Sequence, residues 1–219
     1  MQILLKCATN VYCINVIDVD SISFTFSCRY VFKSEYGREG SVLIFMPGWD
    51  DISKMYRILQ SVPDYNNRYF KLIQLHSGIP KKAQQEVFRP LSPGEHKIIL
   101  STNIAETSIT IDDVTVVIDC GRMKEKTYDP YVKLAYLKAT WISQANARQR
   151  RGRAGRTRAG VCFHLYSRRR HADLLEFQDS ELLRMSLEDV LLQTKSLGLA
   201  PGDLFASYQH KPSQILYFI

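Results

Sequence analysis

Residues 41–59 read SVLIFMPGWDDISKMYRIL, an unbroken apolar run followed by a helical pattern. The apolar run is short and is closed by a Pro-Gly pair, which predicts a strand buried on both faces of a sheet. The residues after it repeat at the i, i+3, i+4 and i+7 spacing of one buried helical face: Ile52, Met55, Tyr56 and Leu59. We expect Asp50 or Asp51 to cap this helix and Pro63 to end it. A strand that leads directly into a helix is the unit from which α/β folds are built.

The same strand and helix signals recur along the chain. They predict further strands at 70–75, 97–100, 114–119 and 161–166, and helices that start at Pro80 and at Ser143. Because strands that alternate with helices form right-handed βαβ units, we predict an α/β fold: a three-layer parallel sheet with helices on both faces. Residues 124–140 interrupt the alternation with a Tyr-Asp-Pro-Tyr turn, which predicts a β-hairpin that projects from the sheet.

The two ends of the chain differ from this centre. Residues 1–38 show no clear period: strands could be drawn near 11–19 and 21–27, and residues 28–35 could equally form a helix. After Ser167 the composition becomes helical. Residues 186–189 have the order of a capping box, with Asp in place of the usual Glu, and Gly198 stands where that helix would end.

The composition predicts a basic globular protein with an acidic partner. The chain has 219 residues, 45% of them hydrophobic, and a formal charge of +7. Much of the excess charge lies in one arginine-rich stretch, 148–158, so nucleic acid is the first partner we expect. The 5 cysteines include no CxxC pair, which favours a reducing, intracellular compartment and leaves nucleus or cytoplasm open. No apolar run approaches the ~20 residues that span a bilayer, so we expect no membrane partner.

Two polar motifs stand out beyond the predicted strands. Residues 101–112, STNIAETSITID, follow the strand at 97–100, at the edge where parallel sheets bind ligands. Residues 149–156, QRRGRAGR, contain arginines that can converge on a small anion such as a triphosphate. Alone, the first motif could be an ordinary strand-to-loop junction with capping residues. The second could be a solvated basic run, a nuclear-import signal or an RNA-binding patch.

Together with PGWDDI at 47–52, these stretches resemble, in order and spacing, motifs IV, V and VI of the DEAH-box ATP-dependent RNA helicases. The resemblance covers about residues 40–200. It implies that 39–167 form the second, RecA-like lobe of such a helicase. It also implies that 168–219 are the start of a winged-helix domain, truncated within the chain, and it leaves 1–38 unassigned. We therefore expect the second lobe of an ATP-dependent RNA helicase, with RNA as its partner.

The resemblance also implies roles for single residues at the nucleotide. Gln149 would position the attacking water, and Arg153 and Arg156 would be arginine fingers that stabilise the transferring phosphoryl group. Asp112 would accept hydrogen bonds from the ribose hydroxyls. Phe88 would stack on the base, although a core position on an amphipathic helix is an equally open alternative for this residue.

On the RNA side, the resemblance puts Ser77, Thr102 and Asn103 against the phosphate backbone, where short donors grip any sequence. The hairpin at 124–140 would lie on the side where strands separate. Arg150, although part of QRRGRAGR, is expected to hold the fold or the contact between lobes. His76 and His164 have no metal-ligand spacing and are expected to be structural, so we predict no metal site.

Half of a nucleotide site is missing from the sequence. No phosphate-binding GxxxxGK(S/T) loop and no DEAH tetrad occur in the 219 residues. We therefore expect ATP to be shared with a first RecA-like lobe, in cis or in trans, which would also hold Mg²⁺. The alternative is a non-catalytic module that binds RNA or a partner protein.

Overall fold

The structure of the protein is a computed structural model, and it describes residues 5–6, 11–15, 40–107, 109–129, 131–157 and 159–200. These residues form two compact units. The first holds the described residues up to Met123 together with Trp141–Phe177, and the second holds Lys124–Thr140 with the described residues from Gln178 onwards. This division differs from the predicted boundary at 168, because the ten residues after Ser167 stay with the first unit.

A seven-stranded sheet forms the first unit. The nine strands of the described chain are β1 (Leu5–Lys6), β2 (Val11–Asn15), β3 (Ser41–Phe45), β4 (Phe70–Leu75), β5 (His96–Ser101), β6 (Val114–Asp119), β7 (Arg122–Asp129), β8 (Leu134–Trp141) and β9 (Gly160–His164). The sheet order is β1-β2-β9-β6-β3-β5-β4, and every neighbouring pair is parallel except β1 with β2. The predicted parallel sheet is therefore confirmed.

Helices lie between these strands and after the last of them. They are α1 (Trp49–Ser61), α2 (Lys81–Gln84), α3 (Ile104–Thr107), α4 (Gln144–Arg151), α5 (Arg168–Ala172) and α6 (Leu187–Ser196), with 3-10 turns at Gln85–Phe88 and Glu181–Arg184. The helix predicted from Pro80 thus tightens into a 3-10 turn in its second half. Within the described residues, no helix is long and apolar enough to cross a membrane.

Three caps on two helices, α1 and α6, are predicted from the sequence, and only one of them is found in the structure. The prediction that Asp50 or Asp51 caps α1 is wrong: the helix begins one residue earlier, with Gly48 as N-cap, so both carboxylates lie in its first turn. The capping box predicted at Ser186 is also wrong, because its hydroxyl donates to Glu188 instead. Gly198 follows α6 with a left-handed φ of 73°, as predicted.

The core lies on both faces of the sheet. Val42 and Ile44 of β3 belong to an apolar cluster that includes residues of α1. Leu43 and Phe45 lie on the opposite face of the sheet and belong to a second apolar cluster. This cluster also includes Val87, and residues that follow β5 and α4 in the chain. The predicted strand buried on both faces and the three-layer arrangement are therefore confirmed.

The second unit contains the predicted hairpin, formed by β7 and β8. Its turn is held by Asp129, whose carboxylate accepts from the backbone N–H of Tyr131 at 2.9 Å. In the same unit Arg184 forms an ion pair of 2.9 Å with Glu125.

At the other end of the chain, β2 agrees with the start of the strand drawn at 11–19. The possible elements at 21–27 and 28–35 lie outside the described residues.

Alanine substitutions at two glycines distinguish the cost of backbone strain from the cost of steric overlap. Gly40 and Gly94 both have left-handed φ, 89° and 81°. A Cβ on Gly40 would lie 2.5 Å from Cγ2 of Thr115 and 2.7 Å from the carbonyl oxygen of Asp113, whereas a Cβ on Gly94 meets nothing within 4 Å. We predict that Gly94→Ala lowers the free energy of unfolding by about 1 kcal/mol, from backbone strain alone.

We expect Gly40→Ala to lower the free energy of unfolding by about 2–4 kcal/mol, because overlap adds to the same strain. Urea unfolding followed by circular dichroism measures both. Equal losses in the two variants would contradict the close approach between residue 40 and β6.

Candidate functional site

Three residues predicted to contact RNA lie at one edge of the sheet. Ser77 follows β4, and Thr102 and Asn103 follow β5. The two loops are joined because the backbone N–H of Thr102 donates to the carbonyl of Leu75 at 3.4 Å. Ser77 and Asn103 are exposed, whereas Thr102 is only 8% exposed and presents little surface. The edge is the carboxyl end of parallel strands, where α/β proteins bind ligands.

A buried guanidinium lies beside this edge. Arg150 of α4 is 0% exposed. Its Nε donates to Glu106 at 3.0 Å, and one terminal nitrogen donates to Asp119 at 2.8 Å and to the carbonyl of Arg122 at 3.2 Å. The guanidinium also lies over the ring of Phe45, 4.8 Å from its centre. The expectation that Arg150 holds the fold agrees with these contacts.

A second bond ties α4 to the polar motif after β5. Asn146 donates from its side-chain amide to Glu106, the same carboxylate that binds Arg150. The helix that carries Asn146 begins with a capping box, in which the Ser143 hydroxyl accepts from the backbone of Asn146 and the Asn146 side chain accepts from the backbone of Ser143. Glu106 of α3 therefore holds both the first turn and the last turn of α4.

Burial and the neighbouring charges shift the pKa values of the groups around Arg150. Burial alone would raise the pKa of Asp119, but the charge of Arg150 and a hydrogen bond with His164 overcome it and hold this pKa well below its usual range. Burial and then the charge of Asp119 raise the pKa of Tyr166, whose hydroxyl lies 2.9 Å from Nδ1 of His164. His164 is 4% exposed within this network, which agrees with the structural role expected for it.

The exposed end of the motif brings two arginines together. Arg153 donates to the carbonyl of Ile109 at 3.2 Å, and Arg156 donates to the hydroxyl of Thr110 at 3.2 Å. Both side chains thus contact the end of the 101–112 segment. Gln149 is exposed on the preceding turn of α4.

Within the described chain, neither Arg153 nor Arg156 forms a salt bridge. The Nε of Arg153 is buried without a hydrogen-bond partner. Burial, and next the charge of Arg156, lower the pKa of Arg153. Two adjacent guanidiniums with unused donors favour an anion between them, and a phosphate group has the matching charge and geometry.

A buried lysine joins the chain neighbours of the two residues predicted to hold the base and ribose. Lys97 is 2% exposed, and its ammonium donates to the carbonyl of Val87 at 2.9 Å and to the carboxylate of Asp113 at 2.7 Å. Phe88 follows Val87, and Asp112 precedes Asp113. Phe88 is 52% exposed while Val87 is 0% exposed, so the core alternative for Phe88 is wrong.

Asp112 is exposed on the segment that meets the arginine motif. Its carbonyl accepts a hydrogen bond of 2.8 Å from the hydroxyl of Thr157, the residue after Arg156. The structure therefore brings Asp112, Arg153 and Arg156 into one neighbourhood. Ser77, Thr102 and Asn103 form a second group, along the ends of β4 and β5.

Sequence reasoning missed three residues of this site: Lys97, Glu106 and Asn146. Lys97 carried a signal, since a lysine inside an apolar strand needs a buried partner. Glu106 lies in the middle of a polar motif, and nothing local distinguishes it from the solvent-facing residues around it. Asn146 stands at the third position of a capping box in place of Glu or Gln.

Fold and site together define the C-terminal lobe of a helicase. Residues 24–158 match the helicase conserved C-terminal domain family. The chain belongs to this family, in the branch of DExH-box ATP-dependent RNA helicases.

Over 160 residues it is 50% identical to the DExH-box ATP-dependent RNA helicase DExH6 of Arabidopsis thaliana, covering 73% of this chain and 12% of that one. Over 203 residues it is 42% identical to the ATP-dependent DNA/RNA helicase DHX36 of Mus musculus, covering 91% of this chain and 20% of that one. The chain thus spans a fifth or less of the length of these curated relatives.

A solved structure supports the same assignment. The E. coli DExH-box NTPase HrpB is similar with a TM-score of 0.75 and 26% identity, covering 87% of this chain and 24% of that one. The predicted RecA-like α/β fold and the predicted family are therefore confirmed.

The buried charges predict an unusual dependence of stability on pH. In Arg150→Met, the carboxylates of Glu106 and Asp119 lose their cation, and we expect the free energy of unfolding at a pH of about 7 to fall by about 3–5 kcal/mol. Without the guanidinium, burial raises the pKa of the Asp119 carboxyl, so the folded variant takes up a proton as the pH falls to about 5 and its deficit shrinks.

The wild type behaves in the opposite way. Because the pKa of its Asp119 is lowered, the wild-type protein loses stability only as the pH falls below the ordinary carboxyl value of about 4. Urea unfolding at both pH values measures the difference, with the exposed Arg148→Met as control. A deficit that is the same at both pH values would mean that Arg150 acts through packing alone.

Proposed function

We propose that this chain is the second RecA-like lobe of an ATP-dependent RNA helicase and contributes arginine fingers to NTP hydrolysis. The observation that carries the proposal is the pair Arg153 and Arg156, which lie together against residues 109–110 without a carboxylate partner in the described chain. Membership of an ATP-dependent helicase family supports nucleotide use. The chain's own residues fit a triphosphate, because unused guanidinium donors match phosphate oxygens.

Each residue has a part in the proposed reaction. ATP supplies the phosphoryl group that is transferred to water. Arg153 and Arg156 stabilise the charge that develops on that group, and Gln149 orients the attacking water from the exposed face of α4. Phe88 stacks on the base and Asp112 accepts from the ribose hydroxyls. Mg²⁺ and the phosphate cradle belong to a first lobe, because no GxxxxGK(S/T) loop occurs in this sequence.

RNA is the proposed partner along the ends of β4 and β5. Ser77 and Asn103 expose short donors there, and the backbone N–H of Thr102 joins the two strand ends through the carbonyl of Leu75. Such contacts bind phosphate and ribose without regard to base sequence. The name of the mouse relative supports a nucleic-acid partner, since that protein is a DNA/RNA helicase.

A second candidate function is a non-catalytic module that binds RNA or a partner protein. The absence of the phosphate-binding loop and the DEAH tetrad from the 219 residues favours it. The two candidates differ in one respect: a catalytic lobe gains activity from a first lobe, whereas a binding module holds RNA regardless of ATP.

The chain alone is expected to hydrolyse no ATP above background, with or without RNA. Addition of a separately purified first RecA-like lobe from a DExH-box relative restores RNA-stimulated hydrolysis, which a phosphate-release assay measures. Arg156→Ala then lowers kcat by about 10³-fold or more, because charge on the phosphoryl group loses its stabilisation. Arg156→Lys keeps the charge but loses the planar fork, and we expect only partial activity from it.

Hydrolysis by the isolated chain that Arg156→Ala abolishes would overturn the shared-site account. Full activity of the Arg156→Ala mixture would overturn the arginine-finger role.

Phe88→Ala tests the base contact in the same mixture. We expect KM for ATP to rise about tenfold with kcat unchanged, because stacking contributes about 1–3 kcal/mol to binding alone. Since Phe88 is half-exposed, unfolding by urea should change little, whereas the control Val87→Ala removes a 0% exposed residue and destabilises the fold. An unchanged KM in Phe88→Ala would contradict the base contact.

A further inference from the structure

Two arginines outside the proposed nucleotide and RNA contacts lie over the same indole ring. The guanidinium carbon of Arg122 is 3.6 Å from the centre of the Trp141 ring, and that of Arg170 is 4.9 Å from it. Arg122 opens β7 and Arg170 lies in α5, so distant parts of the chain bring them together. Stacking on an indole fixes the direction of a guanidinium and leaves its N–H donors available to a ligand.

Their two charges are not neutralised within the described residues. Neither Arg122 nor Arg170 forms a salt bridge there. Burial lowers the pKa of Arg122, and the charge of Arg170 lowers it further. Because like charges held close together repel, an anion bound between them would stabilise this arrangement.

Packing holds the Trp141 ring, and a hydrogen bond holds the backbone of Arg122. Trp141 packs edge-on against Tyr166, with ring centres 6.1 Å apart. The carbonyl of Arg122 accepts the 3.2 Å hydrogen bond from Arg150, which ties its backbone to the buried network. Gly121, just before it, has a left-handed φ of 73°. A preorganised site of this kind loses little entropy when it binds.

The positive surface continues along two helices. Arg168 and Arg169 are exposed beside Arg170 on α5. From α4, the charges of Arg151 and Arg148 contribute to the lowered pKa of His171, after burial and His164. A row of guanidiniums, rather than a single closed pocket, matches a polymer with regularly repeating phosphates.

We propose that Arg122 and Arg170, stacked on Trp141, form a phosphate-binding site for the backbone of single-stranded RNA. This site is separate from the proposed contacts at Ser77, Thr102 and Asn103, and it rests on the proposed function in that RNA is the ligand. The hydrogen bond from the Arg150 side chain to the backbone carbonyl of Arg122 connects it to α4, which leads into the proposed arginine fingers.

The test is the binding of a fluorescein-labelled oligouridine to the full chain, measured by anisotropy at several KCl concentrations. We expect R122Q/R170Q to weaken binding about tenfold and to lower the slope of log K against log salt by about 1.4, or about 0.7 per phosphate contact. R170Q alone alters only an exposed side chain, and it should produce about half of the change in slope.

The matched control is R57Q/R68Q, which removes the same number of positive charges, both from exposed positions. Arg68 lies over the ring of Tyr69 at 4.9 Å, so this control also removes an arginine–aromatic contact. We expect it to change neither the affinity nor the slope.

Wild-type affinity and slope in R122Q/R170Q would overturn the proposal. If N103A then weakens binding, the proposed RNA function stands without this site. If the wild type binds no oligouridine even at low salt, the Arg122–Arg170 site and the proposed RNA-binding function are both wrong. Loss of binding to a poly-glutamate peptide in R122Q/R170Q, with RNA binding unchanged, would assign the site to an acidic protein and overturn the RNA assignment.

Discussion

A permanently charged guanidinium lies at the centre of this domain without contact to solvent, because two carboxylates from other elements hold it there. Arg150 binds Glu106 at 3.0 Å and Asp119 at 2.8 Å, and it is 0% exposed. Removing Arg150 would leave two buried carboxylates without their cation, which costs far more than the ion pairs contribute in place. The network therefore fixes the end of β6, the loop after β5 and α4 relative to one another.

That constraint explains how the segment after a short helix can hold the proposed catalytic arginines with defined geometry. Arg150 and the arginines that follow it belong to one continuous segment, so anchoring the first sets the direction of the rest. Arg153 and Arg156 then reach the carbonyl of Ile109 and the hydroxyl of Thr110. Lys97 has the same effect on the other side of the site, because its buried ammonium joins the backbone beside Phe88 to the carboxylate beside Asp112.

The sequence predicts well what depends on local pattern. The parallel sheet, the hairpin and the family follow from apolar periodicity and from motifs at strand ends. The cap of α1 and the capping box at Ser186 could not be predicted, because glycine at position 48 and a competing carboxylate at position 188 decide them in three dimensions. The role of Glu106 could not be predicted either, because its partner Arg150 lies 44 residues away and no local pattern pairs them. The cluster around Trp141 likewise assembles only in the fold.

The central claim is that this chain supplies the arginine half of a nucleotide site that a first lobe completes. The most direct measurement is the affinity for ADP–aluminium fluoride, a mimic of the transferring phosphoryl group, determined by isothermal titration calorimetry. We expect tight binding only when this chain and a first RecA-like lobe are both present, and loss of that binding when Arg153 and Arg156 are replaced by alanine. Equally tight binding to the mixture that carries these two replacements would contradict it.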